Sequence, residues 1–290
     1  LWDALTFGFI DQKSQHLSFG EFGSKFAKAV QQAPHLGDPT VIESAVGSHP
    51  ALVADDTVDT YCFTHNETST GVAMDVTRPA GAAGLMCVDA TSAAGGMRWS
   101  PDQADLYYFS PQKCFASDGG LYIALASPAA SARIDAIAAS DRWIPAGLDL
   151  KTALDNSRKK QTYNTPALAT IFMTMHMAEW MNENGGLDFA AGRCDESSSH
   201  IYDWADAHDL ATPFVSDLSM RSSVVCTIDF DDAVAADTIA SVLAANGIVG
   251  TESYRKLGRN QLRLAAFPAI DPDDTSALTA CIDHVIGELA

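Results

Sequence analysis

A tight turn is predicted at Ser110-Pro111-Gln112-Lys113-Cys114-Phe115-Ala116-Ser117-Asp118-Gly119-Gly120. Apolar runs at 106–109 and 121–126 flank it, and each has the length of a buried strand. The turn is too short for a crossover helix, so the second strand is predicted to run antiparallel to the first. Lys113 then lies where two strands meet, and partial desolvation there lowers the pKa of a lysine and frees its amine to attack a carbonyl. A solvated loop lysine fits this turn equally well when the turn is taken alone.

Short apolar runs also precede the turn, and they predict further strands at 16–19, 40–42, 58–64 and 85–88. A helix with apolar residues at helical spacing is predicted over 21–32, and it ends before Pro34. Strands that alternate with helices and loops predict an α/β fold with a mostly parallel sheet covered on both faces. The strand at 121–126 is the one antiparallel member.

Two helix starts are predicted after the turn, at Ser127-Pro128 and at Thr165-Pro166. Serine or threonine caps a helix, and proline fits its first turn. The second helix carries methionines that we interpret as core filler, at 173, 175, 177 and 181. A long helix is predicted to follow over 187–207.

The composition changes near Thr212-Pro213, and the rest of the chain is predicted to form a smaller α/β unit. Its predicted elements are strand 224–230, helix 235–246, strand 261–267 and helix 273–289. We therefore predict a large domain at 1–208 and a small C-terminal domain at 209–290.

The charge balance excludes several classes of partner. The chain has 18 Lys and Arg residues against 37 Asp and Glu residues, a formal net charge of −19. This field repels nucleic acid and anionic lipid, and no apolar run is long enough to span a bilayer, so neither partner is expected. The six scattered cysteines include no Cys-x-x-Cys pair, so we expect no metal site and a cytoplasmic location.

Asp89 is the most informative carboxylate, because it directly follows the apolar run Leu85-Met86-Cys87-Val88. Ligands of open α/β sheets bind beyond the carboxyl ends of the strands, and a carboxylate there is costly to bury without a partner. A protonated pyridine nitrogen would be such a partner, because the aspartate keeps the ring cationic and able to withdraw electrons. A helix-cap or turn aspartate is the open alternative. One intervening strand, 105–109, is expected to bring Asp89 and Lys113 into one cleft.

Five segments resemble, in order, motifs of the phosphoserine aminotransferases, a pyridoxal-phosphate-dependent branch of the class V, fold-type I aminotransferases. They are His65-Asn66-Glu67-Thr68, Asp89-Ala90-Thr91-Ser92, Ser110-Pro111-Gln112-Lys113, Tyr163-Asn164-Thr165-Pro166 and Gly258-Arg259-Asn260-Gln261-Leu262-Arg263. The resemblance covers essentially the whole chain and is closest to the actinobacterial type. The family's glycine-rich phosphate turn and an N-terminal His-Arg pair are expected before Leu1, so an N-terminal part is expected to lie outside this sequence.

The resemblance implies a role for each cofactor-binding residue. Lys113 would be the Schiff-base lysine and carry a proton, and Asp89 would bind the pyridine nitrogen of pyridoxal 5'-phosphate. By the same resemblance, Thr68 would hydrogen-bond the ring hydroxyl, Gln112 would help to hold the phosphate, and Phe22 would stack on the ring face. Asn164 and Thr165 would reach the cofactor phosphate of a partner subunit. Phe22 stands where many relatives have tryptophan, and its other reading is the core face of an amphipathic helix. A homodimer with shared active sites is therefore expected.

Basic residues are concentrated near the C-terminal end, at Arg255, Lys256, Arg259 and Arg263. Guanidinium groups bind carboxylate and phosphate oxygens in pairs, so this cluster predicts an anion site in an acidic protein. The resemblance assigns Arg263 to the α-carboxylate of the substrates and Arg255 to the distal phosphate or carboxylate. The spacing differs from that of relatives, which leaves Arg259 as an alternative to Arg255.

The expected activity is the transfer of an amino group from L-glutamate to 3-phosphohydroxypyruvate, in the pathway of serine biosynthesis. Another class V aminotransferase, such as one that uses glyoxylate, is an alternative. A desulfurase fits less well, because Cys114 is held in the tight turn. A non-catalytic dimerising fragment is the third hypothesis, because the glycine-rich phosphate turn is not in this sequence.

Overall fold

In residues 1–289, which the computed structural model describes, the chain forms eight α-helices and eleven β-strands. The helices are α1 (Trp2–Gly8), α2 (Glu21–Gln31), α3 (Pro128–Ala138), α4 (Leu150–Arg158), α5 (Leu168–Glu183), α6 (Leu187–Ala207), α7 (Ala236–Ala245) and α8 (Pro272–Leu289). The strands are β1 (Ser14–Ser18), β2 (Thr40–Glu43), β3 (Thr60–Thr64), β4 (Asn66–Glu67), β5 (Val72–Ala73), β6 (Leu85–Asp89), β7 (Leu106–Phe109), β8 (Ile123–Ala126), β9 (Ala211–Pro213), β10 (Val225–Phe230) and β11 (Gln261–Ala265).

A six-stranded sheet in the order β2-β1-β3-β6-β7-β8 carries the candidate site. The first five strands are parallel to their neighbours, and β8 is antiparallel to β7. This confirms the predicted mixed sheet, including the antiparallel strand after the tight turn. Phe109 pairs with Ile123, so the turn joins two adjacent strands directly.

Successive residues of the central strands supply two separate cores, as strand geometry requires. Cys62 and Tyr108 face a core that contains residues of α1, α2 and α3. Tyr61 and Tyr107 face the opposite core, which includes the segment after β6. The central strands are therefore covered on both faces, and only their carboxyl ends lead into polar segments.

A second sheet, in the order β11-β10-β9, is antiparallel and packs with helices α6, α7 and α8. Its core includes Ile201 of α6, Ile228 of β10 and Ile282 of α8, all fully buried. The sequence predicted β10, β11, α7 and α8 but not the three-residue strand β9 or the polar helix α4. The division at residue 208 stays a prediction.

One predicted helix start is correct and the other is wrong. The Ser127 side chain accepts a hydrogen bond from the Ala130 amide, so α3 begins at Pro128 as predicted. Helix α5 begins at Leu168, and the side chain of Thr165 caps no helix. The physical reason is tertiary: the Ser117 hydroxyl donates to the Thr170 carbonyl (2.8 Å), so the first turn of α5 is held against the segment that follows Lys113.

The methionines of α5 are mostly not core residues, contrary to the prediction. Met173 and Met175 are 39% and 46% exposed, whereas Met181 is buried. Helix α5 packs mainly against α6, so most of its apolar surface faces outward. A helix that is apolar on nearly every side gives no signal in its sequence of which side is covered.

The polar segment after β3 contains two further short strands. Strands β4 and β5 form a two-stranded antiparallel hairpin whose residues are all buried. Within residues 1–289, none of the helices combines the length and apolar character needed to cross a membrane.

Candidate active site

Three neighbouring strands end side by side at the candidate site. Thr64 of β3 pairs with Asp89 of β6, which pairs with Tyr108 of β7. The segments that continue from these strands are 65–71, 90–96 and 110–120, and each carries part of a motif named from the sequence. Parallel strands place their carboxyl ends at one edge of a sheet, so these segments share one edge.

Asp89 is buried, and both of its carboxylate oxygens are already held by neutral donors. One oxygen accepts from the amide (3.0 Å) and the hydroxyl (2.6 Å) of Thr91. The other accepts from the indole N–H of Trp2 at 3.1 Å, and that N–H also points to the Tyr108 hydroxyl at 3.1 Å. These donors are neutral, so they orient the carboxylate but supply no opposite charge, which a cationic ligand would supply.

Trp2 is a residue that sequence reasoning missed. Its indole ring also stacks on Phe26 of α2, at a centroid distance of 6.2 Å. The hydrogen bond from Trp2 to Asp89 joins residues 87 positions apart in sequence. A tryptophan in an apolar helical pattern is ordinarily a core residue, and nothing in the sequence indicates that its N–H reaches Asp89.

Ser92 ties the segment after β6 to the hairpin after β3. The Asn66 side-chain amide and the Thr68 hydroxyl each donate to the Ser92 hydroxyl at 2.8 Å. The Thr68 carbonyl in turn accepts from the Arg263 guanidinium at 3.3 Å. Thr68 and Arg263, predicted as cofactor and substrate ligands, therefore lie together beside the segment that begins at Asp89.

Lys113 is half-buried in the turn after β7. Burial lowers the pKa of its ammonium, and the positive charge of Arg263 lowers it further. The next residue, Cys114, donates from its thiol to the Ser92 carbonyl (3.3 Å), which fixes the turn beside the Asp89 segment. The Lys113 Nζ lies 5.9 Å from the Phe267 ring centroid. Within residues 1–289 this ammonium has no hydrogen-bond or ion-pair partner.

Phe22 lies in the first turn of α2, and its half-buried ring borders a narrow crevice whose other walls include Asp89, Trp2 and Thr64. The Thr64 hydroxyl is buried and, within the described part of the chain, has no hydrogen-bond partner. A flat aromatic ligand with a polar edge would satisfy that hydroxyl and lie against the Phe22 ring. In this structure the crevice has no room for a water molecule, so a ring could lie there only after its walls move apart.

The basic cluster separates into residues with and without partners. Arg259 donates to the Asp229 carboxylate at 3.1 and 3.0 Å and stacks over the Phe214 ring at 4.5 Å. Arg263 lies 5.4 Å from the Tyr254 ring, and burial lowers the pKa of its guanidinium. Arg255 is exposed and, among residues 1–289, has no hydrogen-bond or ion-pair partner. This geometry favours Arg255 over Arg259 as a ligand for an anion.

Three predicted ligands lie outside this cluster of contacts in the single chain. Gln112 is exposed at the turn. Asn164 and Thr165 are exposed in the segment before α5, where they border a separate open cleft with Lys160 and Ile171. The structure therefore does not bring Asn164 and Thr165 to Asp89.

Comparison with known proteins identifies close relatives over nearly the whole chain. Residues 48–252 match the family model described as Aminotransferase class-V. A protein from Nocardioides sp. named phosphoserine aminotransferase is 57% identical, and the match covers 99% of this chain and 78% of that protein. A protein of the same name from Rhodococcus jostii is 55% identical with the same coverage.

A solved structure shows the same fold at low sequence identity. The phosphoserine aminotransferase from Cytophaga hutchinsonii superposes with a TM-score of 0.90 at 22% identity, covering 98% of this chain and 79% of that chain. This likeness agrees with the predicted fold type I.

Proposed function

Since the chain belongs to the class V aminotransferases, we propose that it transfers an amino group from L-glutamate to 3-phosphohydroxypyruvate, giving 2-oxoglutarate and O-phospho-L-serine. The observation that carries this proposal is the 57% identity, over 99% of the chain, to a relative named phosphoserine aminotransferase. The site geometry supports it, because half-buried Lys113, buried Asp89 and Arg263 belong to segments that meet at one sheet edge.

The cofactor of this family, pyridoxal 5'-phosphate, supplies an electrophilic carbon for an amine and an electron-withdrawing ring. We propose that Asp89 holds the ring nitrogen and that Phe22 covers one ring face. Thr68 would donate to the ring hydroxyl, and Gln112 would contact the phosphate. The structural support is that Phe22 and Asp89 line one crevice together with the Thr64 hydroxyl, which has no partner among residues 1–289.

Lys113 is the proposed catalytic residue. Its lowered pKa increases the share of neutral amine at a given pH, and only the neutral amine can bond to a carbonyl or accept a proton. Lys113 would bond the cofactor until the substrate amine replaces it, and its freed amine would then carry a proton from the substrate Cα to the cofactor C4′ atom. Asp89 would keep a proton on the ring nitrogen during this transfer, so that the ring withdraws electrons from Cα.

Substrate anions are proposed to bind Arg263 and Arg255, neither of which forms an ion pair with a carboxylate among residues 1–289. Arg263 would take the α-carboxylate, because it lies beside Thr68 and close enough to Lys113 to lower its pKa. Arg255 would take the distal phosphate of 3-phosphohydroxypyruvate or the side-chain carboxylate of glutamate. Its guanidinium is free to form paired hydrogen bonds, whereas that of Arg259 is engaged by Asp229.

We propose that the active form is a homodimer in the cytoplasm. Helix α5 exposes a row of apolar side chains, among them Leu168 and Phe172 at 73% and 59% exposure, and a second copy of the chain would cover them. Asn164 and Thr165 directly precede this helix, so dimerisation through α5 would carry them towards a partner's cofactor phosphate. Six free thiols suit a reducing compartment.

The proposal is tested by the choice of amino acceptor. With glutamate and added cofactor, kcat/KM for 3-phosphohydroxypyruvate should exceed that for glyoxylate by about a hundredfold, because charged hydrogen bonds to phosphate are lost with glyoxylate. Arg255→Ala should raise KM for 3-phosphohydroxypyruvate by about tenfold or more. Arg259→Ala is the matched control and should leave that KM within about twofold, because its role is the contact with Asp229.

Each other result contradicts the proposal in a distinct way. A preference for glyoxylate would indicate another class V aminotransferase. Cofactor binding without transfer to either acceptor would favour the non-catalytic dimerising piece. An equal effect of the two arginine substitutions would remove the assignment of Arg255.

A further inference from the structure

Glu67 is a buried charged residue that the proposed chemistry does not use. Its side chain is fully buried in the hairpin after β3. The carboxylate accepts from the amides of Phe22 (3.3 and 3.2 Å) and Gly23 (3.1 Å), and from the amide (3.4 Å) and hydroxyl (2.6 Å) of Ser69. Every donor is neutral. The hydrogen bonds therefore offset part of the cost of burying this carboxylate, but burial outweighs them and raises the pKa of Glu67 above its usual value.

These contacts cap helix α2 from another part of the chain. The residue before the helix is Gly20, which has no side chain that could cap it. A Cβ at Gly20 would lie 2.2 Å from the Glu67 Cγ and 2.6 Å from the Ser69 hydroxyl. The Ser69 hydroxyl also accepts from the Glu21 amide at 3.0 Å. Glu67 and Ser69 therefore occupy the space in which a local capping residue would stand.

The remote cap connects Phe22 to the rest of the candidate site. Glu67 lies between Asn66 and Thr68, whose side chains both donate to Ser92, three residues after Asp89. A serine or aspartate at position 20 would cap α2 without burying a charge from another element, but it would leave α2 free of the hairpin. Glu67 joins the first turn of α2 to the Thr68 segment through its hydrogen bonds to the Phe22 and Gly23 amides.

We infer that Glu67 is a positioning residue that holds the Phe22 ring in register with Asp89 and Thr68. This inference rests on the proposed function, because it assigns Phe22 to the face of the cofactor ring. Glu67 is fully buried, so its effect on cofactor binding would pass through the backbone amides of Phe22 and Gly23.

The test is a double-mutant cycle of Glu67→Gln and Phe22→Leu, read by the Kd for pyridoxal 5'-phosphate and by the visible circular dichroism of the bound cofactor. Glu67→Gln should weaken cofactor binding by about tenfold where Phe22 is present, because a buried amide cannot accept from all these donors. In the Phe22→Leu background the same change should cost less than about twofold. Equal losses in both backgrounds would overturn the inference.

Asp149→Ala is the matched control, because that carboxylate caps α4 through the Lys151 amide (2.9 Å) and does not contact the candidate site. It should lower the melting temperature but leave the cofactor Kd and the dichroism unchanged. An equal loss of cofactor affinity in Asp149→Ala and Glu67→Gln would contradict the inference, because Glu67 would then act only by stabilising the fold. If Glu67→Gln does not fold, Ser69→Ala takes its place in the cycle.

Hydrogen exchange of the 20–23 amides in the cofactor-free protein separates this inference from the proposed function. Glu67→Gln should speed their exchange by about tenfold, and Asp149→Ala should not. If the unsubstituted chain binds no pyridoxal phosphate, the proposed function fails, and the exchange rates still decide whether Glu67 holds Phe22. Unchanged exchange in Glu67→Gln would overturn the positioning role by itself.

Discussion

Lys113 lies in surroundings that disfavour its own positive charge. Burial lowers the pKa of its ammonium first, and the nearby Arg263 adds to the shift. The folded protein therefore binds the Lys113 proton less tightly than the unfolded chain does. A group of this kind destabilises the fold while it is protonated, and a catalytic requirement is a physical reason to retain it.

Replacing Lys113 by methionine should stabilise the cofactor-free protein at pH 7. The folded-state pKa is below the ordinary value of 10.5, so the penalty is fully present below the folded pKa and disappears as the pH rises towards 10.5. A gain on the order of 1 kcal/mol would raise Tm by about 2–4 °C in a chain of this size. Calorimetry from pH 7 to 10.5 should show the difference shrinking.

The exposed Lys28 provides the control for this measurement. Lys28→Met should leave Tm nearly unchanged across the same pH range. A lower Tm for Lys113→Met at pH 7, or a difference that grows with pH, would contradict the electrostatic account of Lys113.

At the level of single elements, the N-terminus of α2 shows how a remote contact replaces a local signal. Gly20 has extended backbone that any residue can adopt, so its conformation does not require glycine. Glycine is required for lack of space, because the Glu67 side chain and the Ser69 hydroxyl fill the position that a Cβ would occupy. The start of α2 is thus decided by packing against the hairpin after β3 and not by a residue of its own sequence.

Gly20→Ala should therefore destabilise the fold although alanine favours helices. The new methyl group would overlap Glu67 and force it away from the amides of α2, at a cost of about 1–3 kcal/mol. Gly147→Ala is the control, because a Cβ there would meet open space. Urea denaturation measures the free energy of unfolding of both variants. Equal stability of the two variants would mean that Glu67 moves aside without loss.

At the scale of the whole molecule, the outer surface of α5 is an apolar surface that a single chain leaves exposed to solvent. Apolar residues on several sides of this helix are exposed, including Ile171, Phe172 and Met175. The net charge of −19 gives two copies a general repulsion, so association needs a large apolar contact to overcome it. The proposed dimer through α5 would provide one.

Phe172→Asp should shift the proposed dimer towards monomer. Burying a carboxylate in an apolar contact without a partner would cost about 2–4 kcal/mol, which raises the dimer Kd by about thirtyfold to a thousandfold. Analytical ultracentrifugation over a concentration series measures this. Leu218→Asp, at a residue 72% exposed outside α5, is the control and should leave the dimer intact. A dimer that tolerates Phe172→Asp would place the interface elsewhere.

The sequence by itself determined three features of the central sheet. They are an aspartate at the end of an apolar strand, a lysine in a turn too short for a crossover helix, and an antiparallel strand after that turn. These features are local, because strand length, turn length and the Ser127 cap depend on residues that are neighbours in the chain. Family motifs supplied the roles that residue patterns alone left open, such as those of Thr68 and Arg263.

Only the tertiary structure decided which distant residues meet. The contacts of Trp2 with Asp89 and of Glu67 with Phe22 join segments that are far apart in sequence, and neither has a sequence pattern of its own. The same holds for the late start of α5 and for its exposed methionines, because both depend on what lies beside the helix. Hydrogen bonds and burial are properties of position in space, so residue order cannot specify them one contact at a time.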